Sequence, residues 1–169
     1  MSLLLDYNKL YFKITMLELP HTAVGAFIAY KIPNPLISLP LAFLSHLVLD
    51  EIPHWNPNIF SETKQYGHPL AKTTIIVFLD VALSLILGFY FAFKVLPDIG
   101  HALTIIAASF LAISWDAIEG LHFYFGVRKK SLKRLINFQR KHQSRSSIIP
   151  GILTQVAVVA LILYLTLSR

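Results

Sequence analysis

Thr73–Phe93 reads TTIIVFLDVALSLILGFYFAF, twenty-one residues whose only charge is Asp80. A hydrocarbon layer about 30 Å thick is crossed by about 20 apolar residues of helix at 1.5 Å rise, so this stretch alone predicts a membrane span. Ile99–Ile118 and Ile148–Leu167 meet the same test, the first carrying only His101 near its start and Asp116 near its end. Upstream, His21–Tyr30 and Leu36–Leu49 are apolar but short, and the breaker Lys31-Ile-Pro-Asn-Pro35 divides them. They read as a helical hairpin of two short helices, thinly spanning or re-entrant, since irregular backbone at membrane depth must be buried in protein or face a wet cavity. The expected fold is one all-α membrane domain over residues 1–169 with about five membrane helices.

Composition agrees. Of 169 residues 55% are hydrophobic and 14% charged, against about 25% charged in a soluble domain. Disorder needs the opposite balance. The absence of cysteine removes disulfides, iron–sulfur clusters, thiolate zinc sites and a cysteine nucleophile, leaving His, Asp and Glu to hold any metal. Residues 1–18 lack a basic leader and a small-residue cleavage site after an apolar run, so no removable signal peptide is expected. Their Leu, Tyr and Phe, broken by Asp6, Lys9 and Lys13, suit an interfacial amphipathic helix.

Between Glu119 and Ser147 lie 8 of the chain's 15 Lys and Arg, from Arg128 to Arg145, which puts the 119–147 loop in the cytoplasm by the positive-inside rule. Tracing the spans from that loop brings His21, His46, Asp50, His54, Asp80, Asp116, Glu119 and His142 to the cytoplasmic side. His101 falls at the far end of its helix, about 22 Å from Asp116 at 1.5 Å per residue. His46 and Asp50 share a helix face at i,i+4 spacing and can hold one metal. Pro53 ends that helix near Glu51 and lets His54 fold back. Asp80 and Asp116 are costly in a bilayer unless they pair, ligate or face water. His21, His46, Asp50, His54, Asp116 and His142 are therefore candidate ligands for one or two divalent ions, Zn²⁺ ahead of Mn²⁺ or Fe²⁺ in this sulfur-free set. Asp80 is a further ligand or orients a ligand histidine, and Glu119 is a candidate general base.

The blocks His21-Thr-Ala-Val-Gly25 and Ser45-His46-Leu-Val-Leu-Asp50-Glu-Ile-Pro-His54-Trp55 resemble the bacterial inner-membrane metal-dependent hydrolases, also described as LexA-binding, inner-membrane-associated hydrolases. Trp115-Asp116-Ala-Ile-Glu119-Gly120 resembles that family's acidic element, and Phe138-Gln-Arg-Lys-His142 its basic-His element. The family's His-Arg-Gly-x-Thr-His-Ser stretch is not present as such; Lys141-His142-Gln-Ser144 alone is reminiscent of it. The resemblance implies metal-dependent hydrolysis at a prokaryotic inner membrane.

The basic loop adds attraction to anionic lipid, so the expected substrate is a phosphoester of a lipid or other membrane-associated molecule. A nucleic-acid partner is not expected, because the positive charge sits in one juxtamembrane loop without interleaved aromatic platforms. The alternative is a non-hydrolytic membrane protein, either a metal- or proton-coupled transporter or a scaffold. A transporter should carry polar groups through the whole depth of the bundle, and the half opposite the candidate residues is nearly bare of them.

Overall fold

The structure is a computed structural model and describes residues 16–168. The interfacial helix expected over 1–18 lies outside those residues except at its end, where Met16 and Leu17 are non-helical and Glu18 opens the first helix. The described residues form seven helices and no named strand: α1 (Glu18–Lys31), α2 (Pro35–Asp50), α3 (Ile59–Tyr66), α4 (Ala71–Phe93), α5 (Ile99–Phe123), α6 (Lys130–Lys141) and α7 (Ile148–Leu167). Three of them, α4, α5 and α7, are long and apolar enough to cross a membrane. Three boundaries differ from expectation. α5 runs past Ile118 to Phe123 and carries Glu119 on the helix, the basic 119–147 segment contains α6, and the 51–70 connection contains α3.

The central helix is α1, of 14 residues. α1 packs against α2, α4, α5 and α7 and buries Pro20, His21, Thr22, Ala23, Gly25, Ala26 and Ala29. Small residues let it approach its neighbours closely, as in membrane helix pairs generally. A Cβ added at Gly25 would stand 2.5 Å from the Ala112 Cβ and 2.9 Å from the Ala108 carbonyl oxygen of α5. Gly151, in the first turn of α7, likewise admits the backbone of His54 and Trp55, which a Cβ there would displace. Phe91 and Ile105 are buried, but many of the large apolar side chains point outward. Leu36 on α2, Phe78 on α4, Leu103 on α5 and Leu153 on α7 are 85%, 72%, 60% and 62% exposed. This inside-out arrangement is what an apolar solvent demands.

Local chemistry sets the helix ends. Asn34 accepts a hydrogen bond from Leu36 N, with Pro35 at the first helical position of α2. Asp98 accepts from His101 N to cap α5. Gly67, at φ 83°, closes α3 in the left-handed conformation. Glu62 of α3 reaches the start of α4, accepting from Leu70 N and the Thr73 hydroxyl, each at 2.8 Å. Within the spans, Ser84, Thr104, Ser109 and Thr166 donate to carbonyls four residues earlier, so their hydroxyls meet the lipid-depth interior already satisfied. The connection after α6 is tied to the end of α2 and the segment that follows it: Ser144 N donates to Asp50 O and Ser146 N to His54 O, both at 2.8 Å.

Replacing Gly25 by Ala is expected to cost about 1–3 kcal/mol, because the clash includes backbone of α5 that cannot swing aside. Gly100→Ala, whose Cβ would meet nothing nearer than Asp98 Oδ1 at 3.5 Å, should be neutral or slightly stabilising. Thermal unfolding of the two variants in detergent separates these outcomes, and equal midpoints would disprove the close α1–α5 packing.

Candidate metal centre

Three helices bring imidazoles and carboxylates together at one end of the bundle. His21 comes from the first turn of α1, His46 and Asp50 from the last turns of α2, and Asp116 from the second half of α5. The rings of His21 and His46 stack with centroids 4.0 Å apart and planes 16° from parallel. Asp50 sets one oxygen on each: Oδ1 lies 3.5 Å from His21 Nε2 and Oδ2 lies 3.4 Å from His46 Nε2. Asp116 Oδ1 approaches His46 Nε2 to 3.7 Å. His21, His46 and Asp50 are fully buried and Asp116 is 8% exposed.

The tautomer of His46 follows from its neighbour. Its Nδ1 lies 2.7 Å from the Ala112 carbonyl oxygen, which can only accept, so Nδ1 carries the proton and in the neutral ring Nε2 is an acceptor. A backbone carbonyl holding the outer nitrogen is the usual way a ligating histidine is oriented. The cluster is consequently rich in acceptors and poor in donors. Two amides supply hydrogens to it: Gln139 Nε2 donates to Asp116 Oδ1 and to His46 Nε2 (3.1 Å), and Gln143 Nε2 donates to Asp50 Oδ2 (3.3 Å). His21 Nδ1 and Nε2, Asp50 Oδ1, Asp116 Oδ2 and Glu119 Oε1 are buried with no hydrogen-bond partner among the described residues. His21, His46 and Asp116 each offer a ligand atom within 4.8 Å of the others, so the group could hold a metal ion. Nitrogen and oxygen donors in this number fit a divalent cation.

The other expected site residues are distributed around this group. His54 is buried, its Nδ1 donating to Ile52 O at 2.7 Å and its backbone bridged to Arg145. Glu119 lies one turn beyond Asp116 and is 5% exposed. With Glu18, Asp80, Asp116 and Arg140 it lines a cavity of about 200 Å³ between the start of α1 and helices α3 to α6. Arg140 stacks over the Phe60 ring at 4.0 Å and is that cavity's one lining Lys or Arg. His142 is exposed, its ring bonded to Phe138 O, and lies outside the group. His101 sits at the opposite end, as expected, bonding Ala29 O at 2.9 Å.

Asp80 acts on backbone. Its two oxygens accept from Glu18 N (2.5 Å) and Leu19 N (3.1 Å), capping the start of α1 from within α4. Gln155 of α7 completes the cap by accepting from Leu17 N at 3.1 Å, and Pro20 brings no donor. Asp80 therefore fixes the helix that carries His21, one turn on. The residues missed in the sequence are Gln139, Gln143 and Glu18. Gln139 was accessible through periodicity, since Leu132, Ile136 and Gln139 follow one buried helical face of α6, whereas Gln143 lies in the loop beyond it.

Asp80→Ala removes the acceptors of two part-buried amide donors, at a cost of about 1 kcal/mol each, while Asp80→Asn keeps one acceptor oxygen and should lose about half as much. Thermal midpoints in the order wild type, Asn, Ala are expected, and an Ala variant as stable as wild type would remove the capping role. No protein-family model, curated protein or solved structure matches this chain.

Proposed function

We propose that the chain is a membrane-embedded metal-dependent hydrolase acting on a phosphoester of a membrane lipid. The observation that carries this reading is the set of unpartnered buried atoms on His21, Asp50 and Asp116 beside His46, with His21, His46 and Asp116 close enough together to share a divalent cation. Zn²⁺ suits two imidazole nitrogens and a carboxylate best, with Mn²⁺ and Fe²⁺ next. When bound, such an ion supplies Lewis-acid polarisation of the ester and a nucleophile at neutral pH. Around it, the Ala112 carbonyl orients His46, Asp50 holds the two imidazoles together, and Glu119 accepts a proton in the adjoining cavity. Arg140 faces the same cavity and offsets the charge of a phosphate there.

The reading places α1 and α2 in the bilayer beside the three long spans, making about five. At 14 and 16 residues they reach about 21 and 24 Å at 1.5 Å per residue. The exposed aliphatic face of α2 and the interior position of α1 support this. The basic connection containing α6 orients the centre toward the cytoplasm of a prokaryotic cell, in keeping with the resemblance to inner-membrane hydrolases. Anionic lipids are its neighbours there.

Gln139 favours a second reading. Its amide already joins Asp116 to His46, so the cluster can serve as a metal-free polar lock fastening α6 to the bundle of a transporter or scaffold. Metal analysis by mass spectrometry on detergent-purified protein decides between the two. Near-stoichiometric metal in wild type and His101→Ala, falling at least about tenfold in Asp116→Ala and Asp50→Ala, is the expected result. Wild-type protein that is metal-free and takes up neither Zn²⁺ nor Mn²⁺ would overturn the hydrolase and leave the lock.

A further inference from the structure

Two hollows meet at Leu17 and Asp80. One is the acidic cavity beside the candidate metal centre. The other is a groove of about 480 Å³ between α4 and α7, with Leu19 and Pro20 of α1 in its lining and Leu79, Leu83, Val156 and Val159 along its sides. Its volume falls within the usual range of small-molecule sites. The polar side chains in its lining offer a ligand little. Asp80 spends both oxygens on α1, and Gln155 spends its oxygen on Leu17 N and its nitrogen on Trp55 O and Gly151 O. What remains is aliphatic.

The dimensions point to one occupant. From Ile152 to Leu163 the groove follows α7 for about 16 Å at 1.5 Å per residue, roughly half of a 30 Å hydrocarbon layer and hence one leaflet. It opens on the apolar belt, where Leu79, Leu83 and Val156 are 56%, 52% and 57% exposed. Leu17 and Asp80 line both the groove and the acidic cavity, so the two hollows adjoin there. We propose that the groove seats one hydrocarbon chain of a membrane lipid and directs its polar head past Leu17 and Asp80 into that cavity. The seat follows from geometry; the identity of the lipid as substrate rests on the hydrolase reading. Glu18, Asp80, Asp116 and Glu119 outnumber Arg140 in the cavity, so a phosphate head enters it together with a bound cation, whereas the chain needs none.

The test uses the full chain in vesicles of phosphatidylglycerol and phosphatidylethanolamine containing a phosphatidic acid with a diazirine on its acyl chain. Irradiation and peptide mass spectrometry locate the adducts. Groove residues Leu79, Leu83 and Val156 should be labelled roughly tenfold more than the outward-facing Phe78, Ile86 and Leu153, the preference that about 1.4 kcal/mol of selective seating gives. Val156→Trp and, independently, Leu83→Trp should abolish that excess, while Leu153→Trp should leave it. Uniform labelling of groove and belt, or protein–protein adducts across the groove showing a second copy there, would overturn the seat. Groove labelling in wild-type protein that takes up neither Zn²⁺ nor Mn²⁺ sustains the seat and refutes only the hydrolase. Stoichiometric metal with uniform labelling does the reverse.

Discussion

The structure hangs on the capped N-terminus of α1. A helix beginning among packed helices leaves amide donors with no intrahelical partner, and each one left unsatisfied costs free energy. Asp80 from α4 and Gln155 from α7 accept from Leu17, Glu18 and Leu19, and Pro20 removes the next donor covalently. A carboxylate at the positive end of a helix dipole is also well placed electrostatically. These contacts fasten the central helix to two of the long spans at the level of the candidate centre. They explain how a helix of fourteen residues can be the hub around which longer ones pack.

Fixing α1 fixes His21, and the remaining ligand candidates are fixed by equally local means. His46 is pinned by the Ala112 carbonyl, and Ala112 is also the residue against which Gly25 packs. The close approach of α1 to α5 and the aim of His46 are thus one arrangement. Trp115 covers the group from outside, stacked against Phe43 at 5.0 Å and lying 6.5 Å from the His46 ring. Buried ionisable groups in such a setting need partners or a cation, and the glutamines of α6 and the loop after it supply neutral partners for part of the set. Gln139 donates to His46 Nε2 and Asp116 Oδ1, two atoms of the group that could hold a metal ion, so α6 would bear on any occupancy of the centre.

Much of this was legible in the sequence, and what was not has physical causes. The three long helices announce themselves by length and composition, and the grouping of His21, His46, Asp50 and Asp116 at one bundle end follows from the positions of these residues within their helices. His101 fell at the other end by the same arithmetic, and its bond to Ala29 O places it there. The role of Asp80 was not legible, because depth in a span shows that a carboxylate needs a partner without showing which one. Backbone amides of a distant segment carry no sequence signature. His142 drew attention by residue type, yet the face of α6 turned inward is the one bearing Leu132, Ile136 and Gln139. The polar α3 escaped a hydropathy reading because it is short and its stability comes from tertiary contacts such as Phe60 on Phe123.

The division of the bundle into a wet end and a dry flank then follows from where polar partners were spent. Asp80 and Gln155 stand where the acidic cavity and the apolar groove adjoin, and both are consumed by backbone, so neither contributes free hydrogen-bonding capacity to the groove. The unpartnered oxygens of Asp116 and Glu119 lie with the cavity instead. Capping the central helix and separating a surface fit for hydrocarbon from one fit for charge are therefore the same act, performed by two side chains. Moving the cap elsewhere along α4 or α7 would shift both the position of His21 and the line at which an amphiphile must turn from tail to head.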